Sequence, residues 1–103
     1  MNESTQAILN LSQLREKRAA ILSIAHQYGV SYIRVFGSVA RDEATHESDV
    51  DLLVTMPDGA SIFDMVGLWL DLKELLQCEV SLISDQVNDT PFLEQIEKDA
   101  IFL

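Results

Sequence analysis

The sequence contains few of the features that mark secreted, membrane or nucleic-acid-binding proteins. Its single cysteine, Cys78, excludes an intrachain disulfide and is typical of a reducing cytoplasm. No basic segment followed by an apolar run opens the chain, and no apolar run is long enough to cross a bilayer. Only seven residues are basic, and the net charge of −10 disfavours binding to a phosphate backbone. We expect a cytoplasmic protein that binds neither membranes nor nucleic acids directly.

The charge is unevenly distributed along the 103 residues. Five of the seven basic residues precede Asp42, whereas fifteen acidic residues and two lysines lie from Asp42 onward. No linker rich in proline, glycine or serine separates the two regions, so we expect one domain spanning residues 1–103. A hydrophobic content of 48% favours a folded globule. A basic protein is the natural partner for such an acidic chain, because opposite fields steer association.

The apolar pattern predicts alternating helices and strands. Ser12 and Gly29 suit the start and stop of a first helix, and Asp89 or Thr90 suits the start of a last one. Residues 57–59, Pro-Asp-Gly, indicate a turn. The predicted helices span about 12–28, 62–76 and 91–102, and the predicted strands span about 32–36, 50–56 and 79–83. The pattern predicts an α/β (α+β) fold, with helices packed on one face of a small mixed sheet.

The middle helix carries an apolar stripe at helical spacing. Phe63, Val66, Trp69 and Leu70 form the stripe, and Lys73 marks its edge. We expect Phe63 and Trp69 to belong to the core. An exposed Trp69 would instead mark a surface for a partner protein.

Residues 34–54 carry the strongest indication of function. Gly37-Ser38 follows the first strand directly, and ten residues later Asp49 and Asp51 begin the second strand. Side chains at i and i+2 of a strand leave on the same face, so both carboxylates point the same way. Two carboxylates this close raise each other's pKa unless a cation lies between them. Carboxylate oxygens suit Mg²⁺, which is commonly held by one or two carboxylates plus substrate phosphates.

The Gly-Ser pair complements the aspartates. Gly37 allows the backbone to approach a phosphate closely, and Ser38 adds a hydroxyl beside the amides of the turn. Arg41 follows closely and suits bidentate contact with a triphosphate, although it could instead pair with Asp42, Glu43 or Glu47. The pattern therefore favours a metal–nucleotide site over a structural turn beside a solvated acidic strand end.

The chain resembles a known family over nearly its whole length. Gly37-Ser38, ten intervening residues and Asp49-Val50-Asp51 resemble the GSx10DxD signature of the nucleotidyltransferase superfamily. Residues 40–41, 48 and 52–54 agree with the flanks of that signature, and residues 96–103 resemble the closing helix. More narrowly, the chain resembles the minimal nucleotidyltransferase (MNT) domain, the antitoxin of HEPN–MNT toxin–antitoxin pairs. The resemblance implies transfer of AMP from ATP to a protein hydroxyl of a cognate HEPN toxin, with Asp49 and Asp51 as Mg²⁺ ligands.

The sequence departs from the family at one position. Active members usually carry a third carboxylate on the following strand, and Ser81 stands at that position. Serine cannot supply the charge that helps to hold a metal beside the attacking hydroxyl. Glu79 lies on the same face of the strand and could compensate, or it could be an exposed charge at the strand end.

Three functions follow from these observations. The first is a Mg²⁺-dependent protein adenylyltransferase, and the second is an antitoxin that neutralises its toxin by stoichiometric binding, which Ser81 and the acidity favour. The third is a small-molecule nucleotidyltransferase, ranked last because such enzymes need a further domain to enclose the acceptor.

Overall fold

The computed structural model describes residue 8 and residues 10–103 of the chain. Within these residues, helices and strands alternate and the strands form one sheet. The elements are α1 (Leu11–Arg15), α2 (Arg18–Gln27), β1 (Tyr32–Phe36), α3 (Gly37–Ala40), β2 (Val50–Thr55), α4 (Ile62–Leu76), β3 (Val80–Ser84), α5 (Thr90–Glu97) and β4 (Ile101–Phe102). The predicted fold class, a small mixed sheet with helices packed against it, is confirmed.

The sheet has the strand order β3-β2-β1-β4. β1 pairs antiparallel with both β2 and β4, whereas β2 and β3 are parallel and are connected through α4. The register places Phe36 opposite Asp51, and Asp51 in turn opposite Ser81. The end of β1, the start of β2 and the start of β3 therefore lie at one end of the sheet.

The core lies between the sheet and the helices α2 and α4. Its fully buried members are branched aliphatic side chains, as expected for strands that bury one face and helices that bury one stripe. The largest of them on this face are Leu14, Ile21, Val35, Leu52, Val54, Leu68, Leu72 and Leu76.

The predicted first helix, 12–28, is two helices. Asn10, not Ser12, caps α1, because its side chain accepts a hydrogen bond from Gln13 N at 2.9 Å. Lys17 N bonds Leu14 O at 3.0 Å, an i→i+3 contact that tightens and ends the first helix before Arg18 starts the second. Gly29 follows the second helix at φ +76°, as predicted for a stop.

The predicted last helix, 91–102, was wrong in its second half. α5 ends at Glu97, and the following residues add β4 to the free edge of β1. Arg15 and Arg18 both donate to Leu103 O, at 3.3 and 3.1 Å. Pairing the edge of β1 satisfies backbone groups that a continuing helix would leave open.

The apolar stripe predicted for α4 faces the core only at Trp69. Phe63 is exposed, which contradicts the prediction, and Trp69 is half-buried against the core. The buried face of α4 is instead formed by Leu68, Leu72 and Leu76. The helix is apolar on nearly all sides, so sequence spacing alone could not identify the side that packs.

None of the helices in the described part of the chain is long and apolar enough to cross a membrane.

Candidate functional site

Gly37 and Asp51, the two halves of the sequence signature, are in contact. Gly37 begins α3 with φ at +71°, a conformation that favours glycine. A Cβ atom at this position would overlap Asp51 Oδ2 and would lie 2.9 Å from Asp51 Cγ. Glycine is therefore required here for its backbone angle and for the space that the Asp51 carboxylate occupies.

Asp49 and Asp51 lie at the same end of the sheet, close enough for the charge of Asp49 to act on the Asp51 carboxyl. Asp49 is exposed just before β2, and Asp51 is half-buried inside it. Burial raises the pKa of the Asp51 carboxyl, and the negative charge of Asp49 raises it further, against a smaller opposing effect of Arg41. A pair of carboxylates with this mutual repulsion is a fitting site for a divalent cation, which would relieve it.

Arg41 is the C-terminal cap residue of α3, and its side chain is held by two acidic residues. Its guanidinium contacts Glu43 Oε1 at 2.9 Å and Asp99 Oδ2 at 2.6 Å. The pair with Glu43 is the alternative considered from the sequence. Asp99 follows α5, far along the chain, and no local signal pointed to it. The positive charge of Arg41 also acts on the Asp51 carboxyl and partly opposes the rise in the pKa of that group.

Local hydrogen bonds order Ser38 and the loop that leads from it to Asp49. Ser38 lies in the first turn of α3, where amides lack acceptors within the helix. Its carbonyl accepts a hydrogen bond from Glu43 N at 2.8 Å. Further along, Ser48 Oγ accepts one from Thr45 N at 2.9 Å and orders the chain just before Asp49. His46, in this loop, is exposed.

Ser81, at the position of the expected third carboxylate, lies on the strand next to the aspartates. Ser81 is the direct neighbour of Asp51 on the parallel strand β3. Glu79 Oε1 lies 3.4 Å from Lys73 Nζ, and the Glu79 side chain is 70% exposed. Both facts favour the interpretation of Glu79 as an exposed charge at the strand end over a compensating metal ligand. Among residue 8 and residues 10–103, no three His, Cys, Asp or Glu side chains are grouped as a metal site. The site therefore offers two carboxylates.

Sequence reasoning missed a cluster that borders the site beside β3. Trp69 donates its Nε1 proton to Val80 O at 2.7 Å, and Lys73 Nζ lies 4.3 Å from the centroid of its ring. Cys78 lies two residues before β3, and the pKa of its thiol is raised by burial first and then by the charges of Asp49 and Glu79. A thiol with a raised pKa is a poor nucleophile at neutral pH.

The chain is similar to proteins of one family. The family profile described as "Polymerase beta, Nucleotidyltransferase" matches residues 19–103. A relative from Methanocaldococcus jannaschii, provisionally named a protein adenylyltransferase, is 36% identical over 76 residues, which cover 74% of this chain and 78% of that protein.

Solved structures show the same fold. One structure, provisionally described as a minimal nucleotidyltransferase, is 38% identical with a TM-score of 0.83, covering 98% of this chain and 100% of that one. Another, of a tri-AMPylated Shewanella oneidensis HEPN toxin in complex with an MNT antitoxin, has a TM-score of 0.67 over 85% of this chain and 69% of that one. At 18% identity, this second likeness shows the fold alone.

Proposed function

Because this chain belongs to the polymerase beta-type nucleotidyltransferase family, we propose that it is an antitoxin that adenylylates a cognate HEPN toxin. It would transfer AMP from ATP to a hydroxyl side chain of the toxin and so neutralise it. The contact between Gly37 and the Asp51 carboxylate carries this proposal, because it joins a phosphate-binding turn to a metal-binding carboxylate. The name of the archaeal relative and the AMPylated toxin in the similar complex give further support.

The residues of the site have separate tasks in this reaction. The backbone at Gly37 and the hydroxyl of Ser38 would bind the ATP phosphates, and Arg41 would contact the same phosphates through its guanidinium. Asp49 and Asp51 would hold Mg²⁺, which when bound neutralises charge on the triphosphate. The toxin hydroxyl oxygen forms a bond to the α-phosphorus, the bond to the β-phosphate oxygen breaks, pyrophosphate leaves and the hydroxyl proton is released.

Arg41 must exchange partners to take part. Glu43 and Asp99 both pair with its guanidinium, through different nitrogens. A triphosphate carries more charge than either carboxylate and offers oxygens in the bidentate geometry that arginine prefers. The two carboxylates would then keep the side chain extended toward the site between reactions.

A second function is favoured by one observation. Ser81 faces Asp51 across the strand pair, and Glu79 is paired with Lys73. A site with two carboxylates would hold metal less firmly than a site with three, and the chain could then act as an antitoxin by stoichiometric binding alone.

Intact-mass measurement separates the two functions. The purified product of the adjacent gene is incubated with the chain and ATP, once with Mg²⁺ and once with a chelator. If the chain is an enzyme, the mass of the partner should increase by one or more AMP groups, and only when Mg²⁺ is present. The mass increase should disappear when the chain carries Asp49→Asn or Asp51→Asn. It should remain with the control Glu94→Gln, which changes an exposed residue of α5. If the chain neutralised the partner fully in chelator, and the partner carried no AMP group, the binding function would be established instead.

A further inference from the structure

The outward side of α4 carries an apolar surface that the fold leaves uncovered. We name this surface the α4 stripe; unlike the stripe predicted from the sequence, it includes Ile62 and leaves out Trp69. Its members and their exposed fractions are Ile62 (69%), Phe63 (82%), Val66 (42%) and Leu70 (52%). Residues three or four apart are neighbours on a helix, so Val66 links Ile62 and Phe63 to Leu70. Contiguous exposed apolar side chains of this kind mark sites of interaction in soluble domains.

The α4 stripe continues toward the candidate active site. Ile62 and Val66 also line an open groove of about 230 Å³, whose other lining residues are Met65, Trp69 and Leu82. Trp69 is bonded to the carbonyl of Val80, and Val80 precedes Ser81, the strand neighbour of Asp51. A protein seated on the stripe and the groove would thus reach β3, the edge strand that borders the aspartates.

Acidic residues border the α4 stripe on one side, and Lys73 on its other edge is paired with Glu79. Asp64 and Asp71 lie along one side of α4. Glu74 lies one turn after Leu70, on the side of the helix that carries the stripe. All three are exposed. The net charge of −10 adds to this field. A second copy of the chain would bring like charges together, whereas a partner with lysine or arginine around an apolar patch would be attracted.

We propose that the α4 stripe docks the protein that this chain modifies, through an apolar patch with a basic rim on that protein. The identity of the docked protein as substrate rests on the proposed function. Docking on the stripe holds a hydroxyl of the partner near Asp49 and Asp51, whereas the stripe itself contacts neither ATP nor metal. It therefore sets the affinity for the partner protein, and the aspartates set the chemistry.

Two matched variants test the docking surface with the product of the adjacent gene as probe. Phe63→Ser removes the most exposed member of the stripe, and Phe92→Ser removes a phenylalanine on α5 that is 44% exposed. We expect Phe63→Ser to raise the Kd for the probe at least ~10-fold, the loss typical of an aromatic residue central to an interface. Phe92→Ser should bind as the wild type does, and circular dichroism should show both variants folded.

Kinetics distinguish this inference from the proposed function. Phe63→Ser should raise the KM for the probe and leave the KM for ATP unchanged, whereas Asp51→Asn should abolish transfer and leave the Kd for the probe intact. Wild-type binding by Phe63→Ser, with transfer intact, would overturn the docking surface alone. Absence of transfer by the wild type, with weakened binding by Phe63→Ser, would overturn only the enzyme. A wild-type dimer in sedimentation that Phe63→Ser converts to monomer would assign the stripe to self-association and reject the proposal.

Discussion

Gly37 occupies a position where two independent constraints act on one residue. Its φ of +71° is disfavoured for any side chain, and the volume of a Cβ is already taken by the Asp51 carboxylate. A larger residue would have to displace that carboxylate from the end of β2. The Gly-Ser and Asp-x-Asp parts of the signature are thus coupled sterically, although they lie well apart in the sequence.

Gly37→Ala should abolish transfer and destabilise the fold. We expect a loss of about 1–3 kcal/mol from the backbone conformation alone, plus displacement of Asp51. Gly59→Ala is the matched control, because Gly59 also has a positive φ, +82°, while a Cβ there would meet no described atom within 4 Å. Urea unfolding and the transfer assay should show lower stability for both variants and lost activity for Gly37→Ala only. Equal activity in the two variants would mean that the Asp51 contact does not matter for transfer.

Asp51→Asn should stabilise the metal-free protein at neutral pH. The pKa of Asp51 is raised in the folded state by burial and by Asp49, so ionisation of this carboxyl costs folding free energy above its unfolded pKa of about 3.9. That cost grows as the pH rises through the folded pKa and is absent at lower pH, where the carboxyl is protonated in both states. The Tm of the variant in chelator should therefore exceed that of the wild type at pH 7, and the difference should shrink below about pH 4.

The exposed carboxyl of Glu94 provides the comparison for this titration. Glu94→Gln removes one negative charge from α5, distant in sequence from the aspartates. If Glu94→Gln raised the Tm at pH 7 as much as Asp51→Asn does, the gain would come from the overall negative charge and not from the Asp49–Asp51 pair.

At the candidate site, local sequence patterns led to the residues that lie close together along the chain. Asp49 and Asp51 follow from alternation, and Gly37 follows from the end of an apolar strand. The contact of Arg41 with Asp99 could not be predicted, because it joins two loops that only the packed fold brings together. The same holds for the pairing of Glu79 with Lys73, which depends on where α4 lies relative to β3.

At the scale of elements, the segments with a strong local pattern were predicted well. β1 and α4 have the predicted limits, β2 ends one residue earlier than predicted, and β3 begins and ends one residue later than predicted. Errors arose where a distant contact decides the conformation: β4 forms because the edge of β1 is open and because Arg15 and Arg18 bind the last carbonyl. The orientation of α4 was misjudged because this helix carries apolar residues on both its core side and its docking side.

The pairing of β2 with β3 leads to a prediction about the missing third carboxylate. Ser81→Asp places a carboxylate directly beside Asp51. Without metal, the added like charge should lower the Tm, and with Mg²⁺ the Tm should recover, because three carboxylates hold a cation better than two. Transfer to the partner should also rise above the wild-type rate.

Ser81→Asn has nearly the same shape without the charge and serves as its control. Thermal melts of both variants in chelator and in Mg²⁺ give the comparison. A Ser81→Asp variant that responds to Mg²⁺ no more than Ser81→Asn does would show that this position on β3 does not face the metal.

At the scale of the whole molecule, charge and apolar surface act on different steps of association. The fifteen acidic residues from Asp42 onward create a field that extends about a Debye length from the surface, ~10 Å at 0.1 M salt. Such a field accelerates the encounter with a basic partner, while contacts made after docking determine how long the complex lasts. The α4 stripe supplies contacts of the second kind.

Salt and mutation should therefore change different rate constants. Raising NaCl from about 50 to 500 mM should slow association with the adjacent-gene product by roughly 10-fold or more and leave dissociation nearly unchanged. Phe63→Ser should instead accelerate dissociation at any salt concentration, because the exposed ring makes short-range contacts that salt does not screen. Surface plasmon resonance with the partner immobilised measures both constants. An association rate independent of salt would show that the acidic surface does not steer the partner, and an unchanged dissociation rate for Phe63→Ser would place the docking contacts away from α4.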